Sequence, residues 1–132
     1  MVPIIETDRL RLRSFTADDL DAHAAMLSDG AVIGQLGFAD FKRAMEPNIE
    51  GLPELGYIFA AHAHGQGYAS EAIAAALQWA DSTLPHDQIV AIIDAANAPS
   101  IRVIEKAGFA IREPALYKDE PILLFRRTRA AD

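Results

Sequence analysis

A glycine-punctuated loop between an apolar run and an amphipathic segment constrains this chain more than any other feature. Residues 57–61 (Tyr-Ile-Phe-Ala-Ala) are apolar and predict a buried strand. Residues 64–72 (His-Gly-Gln-Gly-Tyr-Ala-Ser-Glu-Ala) follow, and apolar residues then recur at helical spacing as far as Leu84. Pro85 ends that pattern. We therefore predict a strand, a tight loop and a helix that runs from about Ser70 to Leu84.

This strand–loop–helix unit is an arrangement that binds phosphate groups. The first turn of a helix has backbone N–H groups without an intrahelical acceptor and carries a partial positive charge, and glycine lets an anion approach the backbone. A tight turn in which Gly65 and Gly67 serve only the backbone geometry explains the pattern equally well. Two known phosphate motifs do not fit, because no lysine follows Gly67 and Ser70 replaces the third glycine or alanine of the dinucleotide fingerprint.

Composition limits the classes of function. The 132 residues are enough for one domain with its own core, which we predict to span residues 1–132. The absence of cysteine excludes a disulfide framework, a thiolate zinc site and a cysteine nucleophile. The formal net charge of −7 argues against nucleic acid as the main partner and suits a cationic acceptor such as an amine. Because no apolar run could span a membrane and residues 1–5 are too short for a signal peptide, we expect a cytoplasmic protein.

The remaining patterns predict strands before and after helices, and therefore a mixed α/β (α+β) sheet. A possible N-cap at Thr16, with Leu20, Ala24 and Leu27 at helical spacing, predicts a first helix that ends at Gly30. The other predicted elements are strands at residues 7–13, 31–38, 88–93, 109–112 and 122–127, and a short helix at residues 99–107.

Three segments together resemble the GNAT acyltransferase superfamily. They are residues 56–59 (Gly-Tyr-Ile-Phe), 65–72 and 97–109 (Asn-Ala-Pro-Ser-Ile-Arg-Val-Ile-Glu-Lys-Ala-Gly-Phe). The resemblance is closest to the branch that includes the ribosomal-protein N-terminal acetyltransferases, whose first strand is similar to residues 6–13. It covers residues 5–38 loosely and 54–127 well. It implies a single GNAT-like domain with a central, mixed, mostly antiparallel sheet flanked by helices.

The resemblance also implies a coenzyme. Acetyl-CoA would lie between the strand that ends near Phe59 and the strand that ends near Ile93, with its pyrophosphate on residues 64–69. His64 departs from the glutamine or arginine that the family has at the first loop position, and we interpret it as a surface residue rather than a metal ligand. The implied coenzyme-binding residues are Phe59, Ala60, His64, Gly65, Gln66, Gly67, Tyr68, Ala69, Ser70, Asn97 and Ser100.

The implied catalytic groups are a main-chain amide, a serine and a carboxylate. The N–H near Phe59 would donate to the thioester oxygen. Asn97 resembles the asparagine that holds the pantetheine arm; asparagine also favours helix caps and turns, and the two roles can coexist. Ile104 occupies the position of the family's usual tyrosine acid, so Ser100 becomes the candidate proton donor; a serine bonded to its own helix backbone is an equal alternative. Glu54 is the candidate base through water, and a solvated loop-end carboxylate explains it at least as well.

We therefore expect direct acetyl transfer from acetyl-CoA to a primary amine, either a protein N-terminus or a small molecule. The alternative is a catalytically impaired acyl-CoA-binding or regulatory module. Residues 28–30 join the predicted first helix to the next strand directly, so the acceptor side that the family builds there is expected to be truncated. This leaves open a wide site for a large amine, a homodimer whose second copy completes the wall, or loss of catalysis with coenzyme binding retained. An interaction domain with no ligand would leave the glycine loop and Asn97 without a role.

Overall fold

A computed structural model of the chain describes residues 4–13, 22–28, 31–40, 43–60, 65 and 67–129, and for residues 13, 22–28, 31 and 32 it describes the backbone only. In this part of the chain the strands are β1 (Ile5–Glu6), β2 (Arg11–Arg13), β3 (Ala22–Ser28), β4 (Ala31–Ala39), β5 (Met45–Glu46), β6 (Glu54–Phe59), β7 (Gln88–Ile93), β8 (Ile111–Tyr117) and β9 (Glu120–Thr128). The helices are α1 (Tyr68–Thr83) and α2 (Ala98–Lys106). Neither of these helices has the length and apolarity needed to span a bilayer.

The described strands form one sheet in the order β1-β2-β3-β4-β6-β7-β9-β8-β5. Neighbouring strands are antiparallel except for β6 and β7, which are parallel because α1 connects them. The predicted mixed, mostly antiparallel sheet with flanking helices is confirmed. The predicted helix from about Ser70 to Leu84 is also confirmed, and it begins two residues earlier at Tyr68.

β6 and β7 pair only at one end. Within the described residues their ladder contains the single pair Glu54 and Val90, next to a hydrogen bond from the Val90 N–H to the Pro53 carbonyl of 3.0 Å. Glu54 is the first residue of β6, so the two strands diverge toward their carboxyl ends. In parallel sheets, ligands bind at the carboxyl ends of strands, where such a divergence leaves main-chain groups accessible.

The helices cover one face of the sheet. The residues of α1 that are buried there recur with helical periodicity: Ala72, Ile73, Ala76, Leu77 and Ala80. Trp79 of α1 stacks on Phe38 of β4 with ring centroids 6.3 Å apart, and Ile104 of α2 is fully buried in the same core. Each fully buried leucine or isoleucine contributes about 1.5–3 kcal/mol, so this core holds both helices against the strands that they follow.

A second, smaller core lies on the opposite face of the sheet. Its members come from β5, the segment after β5, β7, β8 and β9: Met45, Ile49, Val90, Ala115 and Leu124. The two cores use alternate residues of the same strands, since Ile89 and Ala91 of β7 belong to the helix-covered core. Successive side chains of these strands therefore lie on opposite faces of the sheet and belong to different cores.

The predicted first helix is wrong in the part that the structure describes. Residues 22–28 form β3, which pairs antiparallel with β2 and with β4, and a register shift between Met26 and Leu27 interrupts the ladder. Alanine-rich sequence favours a helix locally, but strands on both sides supply backbone partners for the whole segment, and this tertiary pairing overrides a weak propensity. The proposed cap at Thr16 and stop at Gly30 lie outside the described residues. The expected truncation of the acceptor side rested on a helix that joins the next strand at residues 28–30. Residues 22–28 form a strand instead, so that reason for a truncation no longer holds.

Candidate functional site

Two glycines with left-handed backbone conformations precede α1. Gly65 has φ 76° and Gly67 has φ 79°, a region that side-chain-bearing residues enter only with strain. Among the described residues, a β-carbon added at Gly65 would meet no atom within 4 Å, whereas one at Gly67 would lie 3.3 Å from the Arg9 Nη2 atom. The described residues therefore leave the backbone at Gly65 uncovered. His64 and Gln66, the other predicted members of this loop, lie outside the described residues.

The start of α1 presents backbone donors. Its first intrahelical hydrogen bond runs from the Glu71 N–H to the Gly67 carbonyl at 3.1 Å, so the amides of Tyr68, Ala69 and Ser70 precede any intrahelical acceptor. No side chain among the described residues caps this end. N–H groups without an intrahelical acceptor and the positive end of a helix dipole are the features that favour an anion at the start of a helix.

A cluster from the turn between β1 and β2 lies against the same helix turn. The Glu71 carboxylate accepts hydrogen bonds from the Thr7 hydroxyl, from the Arg9 N–H at 3.0 Å and from the Arg9 Nε at 2.8 Å. Burial raises the pKa of Glu71, but these hydrogen bonds outweigh it, so the pKa lies below its ordinary value. The Arg9 guanidinium also lies 4.5 Å from the centre of the Tyr68 ring. A cation is thus held beside the glycine loop.

Main-chain groups of β6 line the divergence from β7. The Ala60 N–H donates to the Ile33 carbonyl of β4 at 2.8 Å, so it is already used within the sheet. Because successive residues of a strand point their N–H and C=O groups to opposite sides, the Phe59 N–H points toward β7. The Pro53 carbonyl, which accepts from Val90, follows the same alternation. Of the two predicted residues at the end of β6, Phe59 is therefore the one whose N–H is directed toward β7.

A pair of hydroxyl groups bridges this gap on the helix-covered face. The Tyr57 hydroxyl of β6 and the Ser100 hydroxyl of α2 share a short hydrogen bond. Burial raises the pKa of Tyr57, and the hydrogen bond with Ser100 opposes that effect in part. The Ser100 N–H donates to the Asn97 Oδ1 atom at 3.3 Å, which makes Asn97 the N-cap of α2. The prediction that Asn97 caps a helix is thus confirmed. Its side-chain oxygen is the capping atom, and its amide nitrogen takes no part in the cap.

Glu54, the predicted base, lies on the other face of the sheet. Only 4% of it is exposed, and Arg43 binds it through two hydrogen bonds, Nε to Oε1 at 2.8 Å and Nη2 to Oε2 at 3.0 Å. The hydrogen bond with Glu54 raises the pKa of Arg43 more than burial lowers it. Arg43 also lies 4.9 Å from the centre of the Tyr117 ring. The solvated loop-end interpretation of Glu54 is therefore wrong, and the structure does not bring Glu54 and Ser100 together.

Two groups at this site were missed in the sequence. Tyr57 could have been found from strand alternation, since it shares a face with Phe59, whose ring centroid is 6.1 Å away. Arg9 belongs to a strand pattern of alternating arginines that looks like a solvated face. Its contact with Glu71 joins residues 62 positions apart, a distance that local patterns do not encode.

Comparison with known proteins adds a family match. Residues 25–110 match the sequence profile described as the acetyltransferase (GNAT) domain. The chain is also similar to the uncharacterized protein YkkB of Bacillus subtilis (strain 168), with 32% identity over 98 residues, which cover 74% of this chain and 55% of that protein. The chain therefore spans about half the length of this relative.

Solved structures share the fold. A putative GNAT-family acetyltransferase from Bordetella pertussis superposes with a TM-score of 0.82 at 22% identity and covers 96% of this chain and 99% of its own. An acetyltransferase from Agrobacterium tumefaciens gives a TM-score of 0.75 at 22% identity, covering 96% and 94%. The aminoglycoside acetyltransferase AAC(6')-Ib in complex with coenzyme A and kanamycin gives 0.71 at 20% identity, covering 84% and 68%.

Proposed function

Because the chain belongs to the GNAT acetyltransferase family, we propose that it transfers an acetyl group from acetyl-CoA to a primary amine by direct attack. The observation that carries this proposal is the divergence of β6 and β7 beside the glycine loop and the unbonded amides of α1. A diphosphate would accept hydrogen bonds from the amides, and the pantetheine arm would lie between the diverging strands. The fold neighbour AAC(6')-Ib is described in complex with coenzyme A, which agrees with such a site.

The residues present suit the coenzyme. The amides of residues 68–70 and the backbone at Gly65 would hold the pyrophosphate, and the Arg9 guanidinium, paired with Glu71, lies beside the Tyr68 ring at the same helix turn. The amide nitrogen of Asn97 would donate to the pantetheine arm while its oxygen caps α2. His64 and Gln66 stay part of the proposed loop, whereas Ala60 contributes no N–H because β4 uses it.

When bound, acetyl-CoA supplies a thioester whose carbonyl the amine attacks. The Phe59 N–H, which the strand directs toward β7, would donate to the carbonyl oxygen, where negative charge develops. Ser100 would deliver a proton toward the sulfur that leaves. Each of these groups lies at the gap between β6 and β7 or on the helix that follows β7.

The contacts of Glu54 bear on which kind of amine is acetylated. Both carboxylate oxygens of Glu54 accept hydrogen bonds from Arg43 on the face of the sheet opposite Ser100, so Glu54 is not placed to take a proton from an amine at this gap, and the amine has to reach the site already neutral. An α-amino group, with a pKa of about 8, meets this need more readily than a lysine side chain at about 10.4. This supports a protein N-terminus as the acceptor, in line with the ribosomal-protein branch that residues 6–13 resemble.

The second candidate is an acyl-CoA-binding module with impaired catalysis. The paired Glu54 favours it. A second copy of the chain that completes the acceptor side is compatible with either candidate. All described strands belong to one sheet, which supports a single domain over residues 1–132 in either case.

The two candidates are separated in two steps. Calorimetric titration with coenzyme A and acetyl-CoA measures binding, and thiol release is then followed with N-terminal peptides, aminoglycosides and polyamines. Binding with amine-dependent thiol release supports the enzyme. Binding with only the hydrolysis background across all amines supports the binding module, and failure to bind refutes both. The molar mass in solution, with and without coenzyme A, shows whether a second copy takes part.

A further inference from the structure

The hydroxyl pair formed by Tyr57 and Ser100 connects two elements on either side of the gap. Tyr57 lies on β6, Ser100 lies in the first turn of α2, and α2 follows β7. The pair therefore spans the place where β6 and β7 diverge. The phenol ring is packed against Phe59 at 6.1 Å between ring centroids, and Asn97 fixes the turn that carries Ser100. Both hydroxyls are thus held by packed or capped structure.

We propose that Tyr57 is the proton source behind Ser100 in acetyl transfer: the phenol donates to the serine hydroxyl, which passes its own proton to the departing sulfur. This inference rests on the proposed function. It makes Tyr57 a positioning residue that acts through Ser100. Phe59, Tyr57 and Ser100 all lie at the gap between β6 and β7. The amide proposed for the carbonyl and the hydroxyls proposed for the sulfur are therefore at the same place in the fold.

Acidity is the reason why Ser100 needs Tyr57. A phenol has a pKa of about 10 and a thiol about 8.5, whereas an aliphatic hydroxyl is a far weaker acid than either. Proton transfer is most efficient when donor and acceptor are closely matched. A serine that is re-protonated by a phenol in the same step behaves as an acid of phenolic strength. An isolated serine would have to form an alkoxide in a partly buried site.

The step balances in atoms and charge. The nitrogen–carbon bond forms and the carbon–sulfur bond breaks. Sulfur takes the proton of Ser100, the Ser100 oxygen takes the proton of Tyr57, and the phenolate regains a proton from water. The surplus proton of the amine leaves to water. No oxidant, metal or further co-reactant is needed.

Few described charges bear on the phenol. The elements around it carry these charged side chains at this end: Glu54 on β6, Arg102 and Glu105 on α2, Asp94 after β7 and Glu71 on α1. Glu54 lies on the opposite face of the sheet with Arg43, and Glu71 is bound by Thr7 and Arg9. Arg102, Glu105 and Asp94 are exposed. The titration of Tyr57 is therefore governed by its burial and by Ser100, which act on its pKa in opposite directions.

A spectroscopic test needs no substrate. The ultraviolet absorbance of tyrosinate is titrated in the wild-type protein, and the Tyr57→Phe curve is subtracted to isolate Tyr57 from Tyr68 and Tyr117. Because the Ser100 hydrogen bond lowers the pKa of Tyr57, Ser100→Ala is expected to raise it, and Ser100→Thr is expected to restore it. An unchanged Tyr57 titration in Ser100→Ala would show that the hydroxyls are not coupled and would overturn the relay.

A kinetic test follows the step itself. Tyr57→Phe and Ser100→Ala are each expected to lower kcat on the order of 100-fold, with the KM for acetyl-CoA within about twofold of wild type. The double variant is expected to be no slower than Ser100→Ala, because residues that act as a unit are not additive. Ser82→Ala is the control, since Ser82 is exposed at the far end of α1 and bonds only to helix carbonyls in the described structure.

The outcomes separate the two proposals. If wild-type protein transfers acetyl groups and Tyr57→Phe matches Ser82→Ala in kcat, the relay is wrong and the proposed function stands. A loss in Tyr57→Phe that adds fully to that of Ser100→Ala also overturns the relay. If wild-type protein transfers nothing although the two hydroxyls are coupled by titration, the proposed function fails and the relay fails with it.

Discussion

Gly67 holds a left-handed conformation, φ 79°, immediately before the first-turn amides of α1. Its missing side chain leaves room for the Arg9 guanidinium on one side, because a β-carbon would lie 3.3 Å from Nη2. The first-turn amides that follow Gly67 are where we propose that an anion binds. At this residue a side chain would therefore disturb both the turn and the proposed phosphate site.

We expect Gly67→Val to reduce coenzyme A affinity by at least tenfold, measured by calorimetry, because a β-branched residue strains the turn and shields the amides. Gly51→Val is the matched control. Gly51 also has positive φ, 90°, with no atom within 4 Å of an added β-carbon, so it carries similar backbone strain away from α1. It is expected to lose stability and keep affinity. Wild-type affinity in Gly67→Val would contradict the phosphate-loop assignment.

Arg43 and Glu54 form a pair whose side chains are only 22% and 6% exposed. Removing the guanidinium leaves a buried carboxylate without its charged partner, so Arg43→Ala is expected to lower the free energy of unfolding by about 3 kcal/mol in urea titrations. Arg11→Ala breaks the pair with Glu6, whose side chains are 57% and 62% exposed, and is expected to cost less than about 1 kcal/mol. Equal losses in both variants would contradict the buried-pair assignment.

At the scale of elements, α2 begins with a cap that has a second proposed use. Asn97 accepts the Ser100 N–H through its side-chain oxygen, so its nitrogen is available to face the pantetheine arm. We expect Asn97→Ala to lose about 1 kcal/mol of unfolding free energy and also to weaken coenzyme A binding. Asn97→Ser restores a capping oxygen without the amide, so it should recover the stability and not the affinity. Urea titration and calorimetry measure the two effects separately.

A contradiction would come from Asn97→Ser binding coenzyme A as tightly as wild type, because Asn97 would then be a cap and no more. Asn48→Ala is the control for loss of an asparagine hydrogen bond, since Asn48 bonds the Glu50 N–H in a loop on the other side of the chain's core. It is expected to leave coenzyme affinity unchanged.

Elements differ in how far their own residues determine them. α1 is predictable because its apolar spacing, its glycine entry and Pro85 agree with one another. β3 is not, because alanine and leucine in residues 22–28 favour a helix until β2 and β4 lie on either side. The edge strand β5, of two residues, depends on β8 in the same way and was also not predicted.

For the whole molecule, the proposed coenzyme site joins parts that lie far apart along the chain. The start of α1, the end of β6, the start of α2 and the β1–β2 turn meet only in the folded protein. Binding there is therefore linked to folding. Coenzyme A at 100 times its dissociation constant is expected to raise the free energy of unfolding by about 2.7 kcal/mol, measured as a shift of the urea midpoint. Gly67→Val should show no such gain, and a missing shift in wild type would contradict specific binding.

The amino-acid sequence by itself determined those features of the protein that depend on residues close together along the chain. The glycine loop, the helix after it, the cap at Asn97 and the mixed sheet follow from turn chemistry and periodicity, which neighbouring residues establish among themselves. Tertiary structure decided the rest. It made residues 22–28 a strand, placed Glu54 with Arg43 on one face of the sheet, and paired Tyr57 with Ser100 on the other. Those outcomes depend on partners far away in the chain, and only packing brings the partners together.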